Sequence, residues 1–360
     1  MSESPEPILI NGLNRSAIEA TKANMRADAS MAANVPIVIE AVWEKGVVRE
    51  TSGCQQMVCH PPPQIAKTID YPSMNSYCPL VSVGCFCLVF MMEAAERKMQ
   101  LDSFEASVLV DADMSGFYKM GVMNANPWNE GVKVDLRIQA PYTKEQLDDL
   151  VEFAHANCPS VEIMRRSFPV EVRMEPVMVQ DDVDKDEVYY DLDKYHRRAA
   201  QPGELFVKQG TDMTWFCHNE SEEFPDALML FDFTTDGGSK LPLSYGGPIG
   251  PGKYSNPVQA CFFGGLSAHM HTVALRLNLL GYIVKRIQGS MKAQMNSRRV
   301  FAVDLDTYIF PSGATIDLII ESNAPEEVMD QVQFEAEQMS PSFMNWTNSI
   351  PIDINVVMEP

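Results

Sequence analysis

The sequence predicts an α+β fold made of two similar halves, with antiparallel sheets around paired central helices that pack as an internal pseudo-dimer. Three observations carry that prediction. Residues 79–98, PLVSVGCFCLVFMMEAAERK, are an apolar helical stretch with two thiols, Cys85 and Cys87, and Cys78 just before it. Residues 258–281, VQACFFGGLSAHMHTVALRLNLLG, are a second stretch of the same kind. An offset of 182 residues then relates the segments C-terminal to the two stretches. It matches Cys158-Pro159-Ser160 to Ser340-Pro341-Ser342, Ser167-Phe168-Pro169 to Ser349-Ile350-Pro351, Gly131 to Gly313, and Asp135-Leu136 to Asp317-Leu318. One gap-free offset across strand, helix, breaker and strand marks an internal duplication. An apolar helix in each half needs covering, and two such helices can cover each other about a pseudo-twofold axis.

The individual elements read in chain order. Residues 16–34 have helix formers at helical spacing, with Asn14 or Ser16 as cap. Residues 35–48 are rich in β-branched side chains and turn at Lys45-Gly46, a hairpin pattern. Residues 51–77 are loop-like, and within them Cys59-His60-Pro61-Pro62-Pro63 cannot be regular secondary structure. Residues 103–112 and 131–140 alternate as strands. Residues 142–156 form a helix capped by Thr143 that stops at Cys158-Pro159, and residues 168–174 close the half as a strand. Residues 179–212 are an acidic, irregular linker between residues 1–178 and residues 213–360. In the second half, strands are expected at 214–219, 227–235, 285–293, 302–310, 314–321 and 350–356, with helices at 258–281 and 325–339.

Composition narrows the function. A formal charge of −21 and an isoelectric point near 4.6 exclude a basic nucleic-acid surface and an anionic membrane surface as partners. The longest apolar run, residues 80–92, is 13 residues, short of the roughly 20 that span a bilayer. No basic, apolar leader opens the chain, so a cytoplasmic protein is expected. Eight cysteines in a chain of 360 residues do not read as a disulfide framework, and the 23 methionines suit adaptable core packing.

The apolar helix with its cysteine (GCFCLVFMMEAAERK), the strand pair after it and the short helix running into Cys-Pro (FAHANCPS) together resemble the OsmC/Ohr family. The likeness covers residues 8–174 and, more weakly, 213–358. It implies two OsmC-like halves fused in one chain, doing within one polypeptide what the family does as a homodimer. It also implies thiol chemistry on an organic hydroperoxide or related small electrophile. By position, Cys85 would attack the peroxide and Cys158 would resolve the sulfenic acid, with Cys87 as the other candidate for the attacking thiol. An external dithiol would reduce the disulfide. The family's activating Pro-Glu motif is missing, since Asn75 and Val258 stand near its place; Arg49 with Glu50 is a candidate substitute. In the second half Ser267 and Ser340 replace the two thiols, so one site of this type remains. On residue type alone, Cys85 reads equally well as a small buried hydrophobe.

A second constellation competes. Cys54, Cys59 and His60 share a loop, and His269 and His271 lie on the second central helix. Cys and His suit copper or zinc, and a divergent enzyme of this fold could use an interface pocket for sulfur or metal-assisted chemistry. Residues two apart on a helix point about 200° apart, so neither His-x-His nor Cys-x-Cys chelates alone. The plainer reading gives one core and one surface histidine. A non-catalytic small-molecule-binding protein is the third alternative, and further association of pseudo-dimers stays open.

Overall fold

The structure, a computed structural model, describes residues 8–53, 57–67, 69–119, 128–179, 188–218, 221–234 and 238–359. A short ribbon of β1 (Leu9–Ile10) and β2 (Leu13–Asn14) leads into α1 (Arg15–Ala27), whose first turn is capped by the Asn14 side chain. A hairpin comes next, β3 (Val35–Glu44) and β4 (Val47–Glu50). Its two-residue turn, Lys45-Gly46, has φ of 52° and 75°, the geometry that joins twisted strands tightly. After the small strand β5 (Val58–Cys59), a turn over Ser76–Leu80 breaks helical geometry at Cys78, and the central helix α2 (Ser82–Glu96) begins. Then come β6 (Ser103–Asp113), α3 (Ser115–Tyr118), β7 (Trp128–Gln139), α4 (Lys144–Asn157), α5 (Pro159–Arg165) and β8 (Val170–Met178). Thr143 and Gln146 close a reciprocal cap on α4.

The remainder comprises α6 (Leu192–Ala199), β9 (Phe206–Trp215), β10 (Met229–Asp232), β11 (Lys240–Leu243), the second central helix α7 (Pro257–Leu279), β12 (Val284–Met295) and α8 (Ser297–Val300). It ends with β13 (Ala314–Ser322), α9 (Met329–Met339), α10 (Pro341–Thr347) and β14 (Ile352–Met358). The elements β10, α8, α10 and β14 begin 182 residues after β4, α3, α5 and β8.

The strands form two six-stranded sheets, ordered β11-β10-β9-β6-β7-β14 and β5-β4-β3-β12-β13-β8. Exchanging each strand for the one six places away in the chain turns one order into the other. Each sheet therefore mixes strands from both halves, joined at β6 with β9 and β7 with β14 in one and at β3 with β12 and β13 with β8 in the other. The sheets are not purely antiparallel as expected. β8 pairs parallel with β13, and β14 parallel with β7, because α4–α5 and α9–α10 carry the chain across before each closing strand. The central helices lie between these layers. Residues 82–95 of α2 are all buried, as are most residues of α7. Helices apolar all round need such a site. Two glycines allow the approach: a Cβ at Gly264 would lie 2.5 Å from the Tyr77 Cβ, and one at Gly265 2.4 Å from the Trp346 ring.

Several expectations need correction. Residues 302–310 are not a strand. The Asp304 carboxylate accepts from the backbone N–H of Asp306 and Thr307 and from the Asn296 amide, which holds them in turns. The short helices α5 and α10 start directly at Pro159 and Pro341, where a proline's missing N–H costs nothing. The expected linker contains α6, capped by Asp191, and the start of β9. The segment Ser76–Glu96 is, by length and composition, long and apolar enough to cross a membrane, although the uninterrupted run is shorter; its most apolar window is entirely buried in the protein.

Candidate functional site

Cys85 lies on the first turn of α2, and Cys158 caps the start of α5. The fold brings the two sulfurs into hydrogen-bond contact. Both side chains are about 1% exposed, and neither is in a disulfide. Burial pushes Cys85 up, but the Cys158 thiol and the hydroxyl and backbone N–H of Ser160 outweigh it and hold Cys85 below the ordinary thiol value. Cys158 moves the other way, raised well above normal by burial and by donating to Cys85. The pair therefore has an acceptor of lowered pKa, Cys85, and a donor of raised pKa, Cys158.

Proline at 159 explains the local geometry. It starts α5, so the Ser160 N–H lies in the first helical turn, where backbone donors have no helical partner. Ser160 was not among the candidates on residue type, although it stands in the repeated Cys-Pro-Ser and Ser-Pro-Ser triplets.

A small cavity of about 20 Å³ reaches Cys85. Its walls include Leu88, Val89, Met92, Val258, Val300 and Phe301, with Tyr245 as the one phenol. The Arg49–Glu50 substitute is not at this site. Arg49 stacks over the Tyr71 ring at 5.6 Å, and Glu50 is buried beside Met57, raised to about 7 by burial. The groups that set the Cys85 acidity among the described residues are Cys158, Ser160 and Cys261, with no guanidinium or carboxylate. Cys87 is buried apart from Cys158, and burial and the Cys85 charge push its thiol up.

The residues of the second constellation separate. Cys54 falls outside the described residues. Cys59 faces Ser267 and is pushed up to about 12 by burial. His60 is buried and lowered for the same reason, with Nδ1 against the Pro61 carbonyl. Both helix histidines are buried, not one, because α7 is covered on every side. His269 packs on Phe343 with ring centroids 5.0 Å apart, and burial lowers it to about 4. His271 faces the other way, its Nδ1 3.1 Å from the Tyr190 hydroxyl, which also accepts from the Trp43 indole at 3.1 Å. Burial lowers His271 to about 3. Among the described residues no three His, Cys, Asp or Glu side chains gather as ligands for a metal ion.

A search among curated proteins finds no match to this chain. The family model described as OsmC-like protein matches residues 81–173, a segment that contains both Cys85 and Cys158 and ends inside β8, and it points to a peroxide-related redox role.

Proposed function

We propose that the chain is a thiol-dependent peroxidase-like protein that reduces an organic hydroperoxide, with Cys85 attacking and Cys158 resolving. The hydrogen bond between the two sulfurs carries the reading, since it pairs a thiol of lowered pKa with a neutral partner thiol within reach. The Cys85 thiolate attacks the terminal peroxide oxygen, the O–O bond breaks, and the alcohol leaves with one proton. The resulting sulfenic acid condenses with the Cys158 thiol, which forms the disulfide and releases water. An external dithiol returns both thiols. The cavity at Cys85 holds about one water, so an organic hydroperoxide must displace the mostly apolar side chains that line it. Among the described residues, activation falls to Ser160 and Cys158.

The two halves are read as an internal pseudo-dimer of OsmC-like units with one surviving site, a reading supported by the matched strand orders and by serine at positions 267 and 340. Seven buried cysteines outside any disulfide among the described residues support a reducing compartment, the cytoplasm. The test is a thiol titration before and after stoichiometric cumene hydroperoxide, with mass spectrometry of the peptides. A Cys85–Cys158 disulfide is expected, and unchanged thiols would overturn the reading.

A further inference from the structure

Two more thiols lie beside this site and take no part in that chemistry. Cys78 sits at the break before α2, and Cys261 one turn into α7, so they come from opposite halves of the chain. Both are about 1% exposed. Their sulfurs are in hydrogen-bond contact with each other. The surroundings are built around them: the Ser82 hydroxyl donates to Cys261 Sγ at 3.1 Å, and the Trp346 indole N–H donates to Cys78 Sγ at 3.3 Å. Gly264, one turn after Cys261, sets the approach, since a Cβ there would lie 3.2 Å from the Cys78 nitrogen.

The two thiol pairs are linked. The buried Ser160 hydroxyl has no partner of ordinary hydrogen-bond geometry and faces the sulfurs of both Cys85 and Cys261. A negative charge on Cys261 would raise Cys85, so the two sulfurs act on each other. Four sulfurs thus run in order Cys158, Cys85, Cys261, Cys78 through the buried interface of α2, α5 and α7.

We propose that Cys78 and Cys261 are a second redox-active dithiol, which takes over the oxidising equivalents of the Cys85–Cys158 disulfide by internal exchange and so joins the two halves covalently. This rests on the peroxidase-like reading for the first disulfide. Cys261 thiolate attacks Cys85 Sγ, the bond to Cys158 breaks, and Cys158 takes up a proton. Cys78 then loses its proton and attacks Cys261 Sγ, and Cys85 leaves as the thiolate. Two electrons pass from the second pair to the first, one proton moves from Cys78 to Cys158, the thiolate charge moves from Cys261 to Cys85, and no other reagent is consumed. Cys85 is the better final leaving group, because its sulfur is held at lower pKa than Cys78 by its hydrogen-bond donors.

The test uses the full chain treated with one and two equivalents of cumene hydroperoxide, quenched in acid, denatured with N-ethylmaleimide and digested with chymotrypsin without reduction. Cleavage after Tyr77, Leu80 and Phe86 separates Cys78, Cys85 and Cys87. A linked Cys78–Cys261 peptide is expected, appearing after the Cys85–Cys158 link in a time course, with four thiols lost at two equivalents. Formation of Cys85–Cys158 while Cys78 and Cys261 stay fully alkylated overturns the relay and leaves the peroxidase-like reading standing. Failure of both disulfides overturns that reading instead. In Cys85→Ser, no Cys78–Cys261 link should form with hydroperoxide, and its appearance there would also overturn the relay. If that variant does not fold, the order of appearance in the unaltered chain decides.

Discussion

Replacing His269 by leucine separates a core histidine from a working one. The ring is fully buried, and neither nitrogen has a hydrogen-bond partner among the described residues. The unfolded side chain titrates near 6.5 and the folded one at about 4. Between those values the unfolded chain binds more protons than the folded one, so stability rises with pH there and is lost as pH falls below 6.5. At pH 5.5 His269 alone removes about 1.4 kcal/mol relative to pH 7.5. His271, lowered to about 3, adds a loss of similar size, and Glu50, raised to about 7, opposes them as it gains its proton in the fold. His269→Leu should therefore cut the loss of stability between pH 7.5 and 5.5 by about 1.4 kcal/mol. At pH 7.5 it should match or exceed the parent, because an unpartnered buried polar group costs about 1–3 kcal/mol. Urea unfolding followed by tryptophan fluorescence measures both, and pH 5.5 stays above the isoelectric point near 4.6. Identical pH dependence in the two proteins would refute the argument. So would a large loss at pH 7.5, which would mean that the ring has a partner.

Arg276 and Glu335 form an ion pair with side chains only 11% and 10% exposed, so Arg276→Leu should cost about 3–5 kcal/mol in urea unfolding by stranding the carboxylate, and adding Glu335→Leu should recover most of it. Gly264→Ala gains about 1 kcal/mol of helix propensity, yet its Cβ meets the backbone and Cβ of Tyr77, so calorimetry should show a lower Tm. Cys158→Ala removes a donor from the Cys85 sulfur, and mixed-disulfide formation at Cys85 with a small methanethiosulfonate at pH 7 should slow by about tenfold or more; an unchanged rate would detach Cys158 from Cys85 acidity.

Local pattern determined much of this protein. The alternation in residues 103–112 and 131–140 marks β6 and β7, Lys45-Gly46 marks the hairpin turn, and Thr143 and Cys158-Pro159 bound α4, because each reports chemistry within a few residues. The offset of 182 residues likewise stands in the sequence alone, and it paired Cys85 with Ser267. Tertiary structure decided the rest. Burial periodicity says that a side chain is inside, never what it faces, so which of Cys85 and Cys87 meets Cys158 depends on the rotation of α2 against α5. It also hid the meeting of Cys78 with Cys261 and the burial of both helix histidines, each a contact between segments far apart in the chain. The mixing of strands from both halves in each sheet has the same origin. A strand's hydrogen-bonding edge carries no address in its own residues, and the partner is chosen by which pairing covers α2 and α7 together.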